Sequence, residues 1–252
     1  MLPVALAVLV YVHLFYVAAV LLKNFAIMDI AWGSGFILVA LVSYLTSPLT
    51  MKSSLLLFMA VIWGLRLTLH IYRRSRGAPE DSRYAELRQL WGKRANLEAY
   101  FKIFLFQGVL LLIVSLPISQ GMGTEFQPWN WAGVFIWFIG MAIETWADMH
   151  LTYFKSNSKD KGSICMSGPW KFSRFPNYFG EILLWYGVWM TATSGWNAWT
   201  IVGPVTLNLL ILRLTGIPPL EQKYQTRADY ISYSARVPRL VPFTRPRQLI
   251  QK

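Results

Sequence analysis

Apolar residues dominate the chain in long runs, and polar residues fall in short blocks between them. The runs are Leu2 to Leu22, Phe25 to Leu45, Ser54 to Tyr72, Tyr100 to Ile118, Trp129 to Phe154, Tyr178 to Thr193 and Trp196 to Leu214. About 20 mainly apolar residues are enough for a helix to cross a bilayer core. The pattern therefore predicts an all-α integral membrane bundle of about seven transmembrane helices. The sixth run is the shortest, and its start falls in a loop motif. The first run is too long for a signal-peptide core and lacks a basic leader, so it reads as a retained span. The chain reads as one transmembrane domain, 1–252, with loops at 73–99 and 155–177 and a tail at 216–252.

Composition supports lipid rather than water as the main solvent. Only 14% of the 252 residues are charged, 55% are hydrophobic and 15% aromatic, where a soluble domain carries about 25% charged residues. The net charge of +12 would suit nucleic acid if it formed a face. It does not, because the basic residues sit on alternate loops. With the tail in the cytoplasm, 21 of the 24 Lys and Arg residues lie on that side, and Lys52 alone lies opposite. The positive-inside rule then puts the N-terminus outside and the C-terminus in the cytoplasm. No nucleic-acid partner is expected; membrane lipids account for much of the charge. One cysteine, Cys165, and three scattered histidines exclude a disulfide framework and argue against a metal site. The expected setting is a multi-pass membrane location, a bacterial inner membrane ahead of the endoplasmic reticulum.

Ionisable groups inside apolar runs are costly and usually mark function. Here they are Asp29, Arg66, His70, Glu144, Asp148, His150, Glu181 and Arg213, nearly all toward the cytoplasmic ends. Glu144, Asp148 and Lys155 recur at helical spacing and share a face. A purely structural alternative is that Arg66 pairs with Glu144 or Asp148 to join spans three and five. The functional reading is a polar cavity for a charged ligand.

The densest motif is Gly168-Pro169-Trp170-Lys171-Phe172-Ser173-Arg174-Phe175-Pro176-Asn177-Tyr178-Phe179-Gly180-Glu181. Gly-Pro marks a turn, Asn177 can cap the following helix, and a helix start with Lys171 and Arg174 beside it suits phosphate. The tail, with Tyr230, Tyr233 and Arg236, reads as an amphipathic helix folding back over the cytoplasmic mouth. Gly33-Ser34-Gly35 is explained by close helix packing, and no Rossmann fingerprint is present.

The stretch Arg174 to Glu181 resembles the hallmark of the steroid 5α-reductase superfamily, especially its DUF1295 branch. Asp29-Ile30-Ala31-Trp32-Gly33-Ser34-Gly35-Phe36, Trp63-Gly64-Leu65-Arg66-Leu67, Glu80-Asp81-Ser82-Arg83-Tyr84 and the Pro-Pro-Leu-Glu tail support it. The resemblance implies a seven-helix membrane oxidoreductase using NADPH on a lipophilic small-molecule substrate. By position it assigns cofactor contacts to Arg66, Glu144, Asp148, Lys155, Lys161, Asn177 and Glu181, with Glu144 standing where the family has Asn. Lys171, Arg174, Tyr178, Tyr230 and Arg236 complete the expected cofactor set. Asp29 falls near the acid that meets the substrate carbonyl, and so is the catalytic candidate; the family's span-three Tyr has no counterpart at Trp63 or Gly64. The alternatives are an S-adenosylmethionine-dependent methyltransferase of the isoprenylcysteine type, whose hallmark is similar, and a non-enzymatic membrane scaffold.

Overall fold

The structure, a computed structural model, describes residues 1–158 and 162–244. Among them every regular element is helical. In chain order these are α1 (Leu2–Leu21), α2 (Ile27–Leu45), α3 (Met51–Ser75), α4 (Ser82–Trp91) and α5 (Ala95–Ala99). A π-helical stretch (Tyr100–Leu105) follows, then α6 (Phe106–Val114), α7 (Leu116–Gly121), α8 (Asn130–Asn157), α9 (Pro176–Ala192) and α10 (Val202–Leu209). A second π-helical stretch (Leu210–Leu214), α11 (Ile217–Tyr224) and α12 (Ala228–Arg236) are the last elements among the described residues.

Six helical segments are long and apolar enough to cross a membrane: Leu2–Leu21, Ile27–Leu45, Met51–Ser75, Ser82–Val114, Asn130–Asn157 and Ala198–Tyr224. The remaining apolar run is α9, whose 17 residues rise only about 26 Å. The segments carry exposed apolar side chains along their length, among them Leu6, Leu14, Leu41, Phe58, Phe106, Phe135, Trp146 and Leu209. Such a surface matches hydrocarbon rather than water.

The chain divides into two compact units. Unit 1 holds Met1–Asn130 and Thr191–Gly203; unit 2 holds Trp131–Met190 and Pro204–Lys252. In unit 1, α2 meets α3 at glycine. A Cβ on Gly33 would lie 2.7 Å from the Gly64 carbonyl oxygen, and one on Gly64 would lie 2.6 Å from that of Gly33. The close packing expected at Gly33 is present, and it seats Trp63 fully buried against the Phe36 ring, 5.4 Å away.

Unit 1 also contains the last residues of α9, Thr191 and Ala192, and the turn after them. Lys52 is fully buried and donates from Nζ to Ser194 Oγ at 2.7 Å and the Thr193 carbonyl at 3.3 Å. Asn130 Nδ2 donates to the same carbonyl at 2.9 Å, and Asn197 Nδ2 to that of Ala192 at 3.1 Å. These donors satisfy carbonyls that a helix C-terminus leaves open, and a cation there opposes the helix dipole.

Unit 2 is built on glycines, one on α8 and two, seven residues apart, on α9. A Cβ on Gly140 of α8 would fall 2.5 Å from the Leu184 amide nitrogen of α9. One on Gly180 would meet the Glu144 nitrogen at 2.5 Å, and one on Gly187 would meet that of Trp137 at 2.5 Å. The backbones of α8 and α9 therefore touch along two turns. This contact puts Glu144 beside Gly180 and fixes the register of the polar residues on both helices.

Candidate functional site

Each unit carries a cluster of charged groups near helix ends, and the two differ in make-up. In unit 1 the cluster forms where α4 returns to the start of α2. Asp29, in the first turn of α2, accepts a hydrogen bond from the Tyr84 hydroxyl at 2.5 Å on Oδ1 and one from Arg83 Nη2 at 3.0 Å on Oδ2. Arg83 reaches Asp81 through Nε at 2.9 Å. Asp81 in turn caps α4 by accepting from the Arg83 amide at 3.0 Å.

The anchor of this corner is Glu80. Its Oε1 accepts from the Phe25 amide at 2.6 Å, and its two oxygens accept Arg88 Nη2 at 3.0 Å and Nε at 3.1 Å. The Arg88 guanidinium lies 3.7 Å above the ring of buried Phe25, a close cation–π contact. Burial would raise the Glu80 carboxyl, but the bonds from Arg88 and the Phe25 amide outweigh it and hold it below its usual range. Asp81 is likewise held low: burial opposes, and the Arg83 bonds prevail. The outer face of α4, with Arg83, Glu86, Leu87 and Leu90, lines an open hollow of about 510 Å³.

In unit 2 the loop from Gly168 to Phe175 is pinned from two sides. Toward α8, Gly168 adopts φ +58° with no room for a side chain, because a Cβ would sit 2.7 Å from the His150 ring. His150 Nε2 and Ser167 Oγ are 2.9 Å apart, and Trp170 Nε1 donates to the Ala147 carbonyl at 3.4 Å. Toward the tail, the Arg174 amide donates to the Pro238 carbonyl at 2.9 Å and Ser173 Oγ to that of Leu240 at 2.7 Å. The Tyr233 hydroxyl donates to the Trp170 carbonyl at 2.5 Å. Burial pushes the Tyr233 and Tyr230 phenols up. The tail forms two short helices, α11 and α12, rather than one, and it folds back onto this loop.

The positions expected from sequence fall as follows. Glu144 and Asp148 are buried on α8, at 3% and 9% exposure, one turn apart. Lys155 is exposed in the last turn of the same helix, and Lys171 is exposed at the end of the turn Gly168–Lys171. Arg174 is buried; its Nη1 pairs with Glu221 Oε1 at 3.0 Å and lies 3.4 Å from the Tyr230 hydroxyl. Glu221 Oε2 also takes Arg239 Nη2 at 2.8 Å. Tyr178 stacks on Phe175 with centroids 6.0 Å apart, and Glu181 is half-buried on α9. Arg236 is exposed at the end of α12, where its Nε donates to the Ser232 carbonyl at 3.1 Å. Arg66 lies on α3 in unit 1, two residues beyond Gly64. Lys161 lies outside the described residues.

One local expectation is corrected. Asn177 does not cap α9, because the helix already begins at Pro176. Proline has no N–H to satisfy and its φ is preset for a first helical residue, so Asn177 falls inside the first turn. Its Oδ1 is buried there without a hydrogen-bond partner. Sequence reasoning also missed Tyr84, Glu221 and Arg239 as site residues. The signal was present for two of them, in Glu80-Asp81-Ser82-Arg83-Tyr84 and in the Pro-Pro-Leu-Glu tail, but their partners lie more than forty residues away.

An all-helical chain with six membrane-length apolar segments and ordered charge clusters at helix ends has the make-up of a multi-pass membrane protein. The model of the family described as protein of unknown function (DUF1295) matches residues 15–237, and the chain belongs to that family, which falls in the steroid 5α-reductase-like group. No curated protein and no solved structure matches the chain.

Proposed function

We propose that the protein is a membrane oxidoreductase that uses NADPH to reduce an electron-poor C=C bond of a lipid-soluble, enone-like substrate. In this reading α9 is a seventh crossing, the N-terminus is outside, the C-terminus is cytoplasmic, and the membrane is a bacterial inner membrane. Unit 2 supplies the nucleotide site. The observation that carries the reading is Asn177: a buried amide oxygen without a partner, in the first turn of α9, a few residues from exposed Lys171. A buried polar atom left unpaired costs about 1–3 kcal/mol, a cost that a ligand group can remove.

The residues present fit NADPH in their donor chemistry. Lys155, Lys171 and Arg236 are cations suited to phosphate oxygens, the start of α9 favours negative charge, and the Asn177 amide suits the carboxamide of the nicotinamide ring. When bound, NADPH supplies a hydride to the β-carbon of the substrate. The chain's own part is then to stabilise the charge that develops on the carbonyl oxygen. The Tyr84 hydroxyl donates to Asp29 Oδ1 at 2.5 Å; turned to the substrate carbonyl oxygen instead, the same O–H stabilises the enolate. Arg83, paired with the other Asp29 oxygen, holds the carboxylate in place. Tyr84 thus takes the part that Trp63 and Gly64 of α3 do not supply.

The test is a thermal-shift titration of the purified protein with NADPH, NADH and S-adenosylmethionine in parallel. The reading expects saturable stabilisation by NADPH. Stabilisation by S-adenosylmethionine alone would replace it with a methyltransferase, and none by any of the three would favour a scaffold.

A further inference from the structure

Glu221 is set against two guanidinium groups, and it joins three stretches of unit 2: Arg174 from the loop before α9, Glu221 from α11, and Arg239 from beyond α12. The Arg174 side chain is only 1% exposed and that of Glu221 14%, whereas Arg239 is 36% exposed. Protein alone therefore covers Arg174, and a ligand approaching the loop meets Lys171 first. A guanidinium buried this deeply is tolerable only while its carboxylate is in place.

We infer that Glu221 is a positioning residue: it latches the tail onto the loop Gly168–Phe175 through Arg174, and so sets the anion-binding surface that Lys171 and the start of α9 present. The neighbouring bonds work in the same direction. The Arg174 amide to Pro238, Ser173 to Leu240 and Tyr233 to Trp170 all run between the loop and the tail, and the Phe172 and Phe243 rings meet at 5.4 Å. Arg174 then belongs to the latch and not to the phosphate contacts. This inference rests on the nucleotide reading for its second half only.

Two variants in detergent test it. Glu221→Gln strands Arg174 without its charge partner. Arg174→Met with Glu221→Leu removes both buried members and lets Arg239 turn to solvent. Tryptic cleavage in the tail should speed up about tenfold or more in the single variant, because cleavage follows the population of the open form. It should return to within about threefold of wild type in the double variant, since a buried ion pair can be replaced by apolar groups of similar volume. NADPH affinity should follow the same order. The inference is overturned if Glu221→Gln is cleaved at the wild-type rate, or if the double variant keeps its tail docked yet loses NADPH affinity about tenfold, which would mean that Arg174 reaches the ligand itself. The cleavage series needs no nucleotide, so a wild type that ignores NADPH would sink the functional reading while the latch is still judged on proteolysis.

Discussion

The two clusters are built from the same residue types with opposite balance. In unit 1, the carboxylates Asp29, Glu80 and Asp81 share Arg83 and Arg88. In unit 2, Glu221 is set against Arg174 and Arg239. The first is open, with the Arg83 side chain about half exposed; the second is sealed around Arg174. An acid-rich, accessible cluster suits work on a neutral substrate that needs a proton. A base-rich one, with exposed cations on the loop that it anchors, suits an anion. The contrast teaches that ion pairs of similar length, near 3.0 Å in both units, carry different weight according to how much water reaches them.

The contrast can be broken most severely at Glu221. Glu221→Ala should cost about 3 kcal/mol or more in unfolding free energy, because it leaves a buried guanidinium without a counter-charge. The equivalent cut in unit 1, Asp29→Asn, should cost about 1 kcal/mol or less, since Arg83 can turn to solvent and Asp81. Denaturation of the two variants side by side checks the ratio. Tyr84→Phe comes next: loss of its bond to Asp29 should take about 1 kcal/mol of stability and, on the proposed chemistry, lower the reduction rate about a hundredfold. Enone turnover against thermal stability separates the two effects.

Acid sharpens the comparison more gently. Glu80 and Asp81 have carboxyls held below their usual values when folded. The stability they add is therefore complete above the ordinary carboxylate range and is lost as pH falls through their lowered values. Thermal midpoints followed from neutral pH to below about pH 4 should show a small downward step that Glu80→Gln reduces, leaving the share that belongs to Asp81. The smallest effect on stability belongs to Lys171→Ala. An exposed lysine should cost less than about 0.5 kcal/mol, while NADPH affinity falls about tenfold through loss of a charge-assisted contact.

Much of the fold was legible because lipid imposes a length rule. Runs of about 20 apolar residues marked six segments; most ends moved by a few residues, but the fourth segment begins at Ser82 rather than Tyr100 and the last runs on to Tyr224 rather than Leu214, and α9 fell short for want of one more turn. Gly33 was readable as a packing position. Gly140, Gly180 and Gly187 were not singled out, although the seven-residue spacing of Gly180 and Gly187 was available. The division into two units left no local mark, since residues 191–203 join the first unit across an intervening helix pair. Asn177 was misread as a cap because Pro176 can open a helix as well as precede one. Tyr84, Glu221 and Arg239 escaped because their roles depend on partners outside their own local motif: Asp29 for the first, Arg174 for the second, and Glu221 for the third.

The central claim is that the nucleotide belongs to unit 2. Hydrogen–deuterium exchange of the purified protein with and without NADPH tests it most directly. Slower exchange in 168–181 and 217–240, with 76–91 unchanged, is the predicted result. Protection confined to 76–91, or no protection anywhere at saturating NADPH, would contradict it.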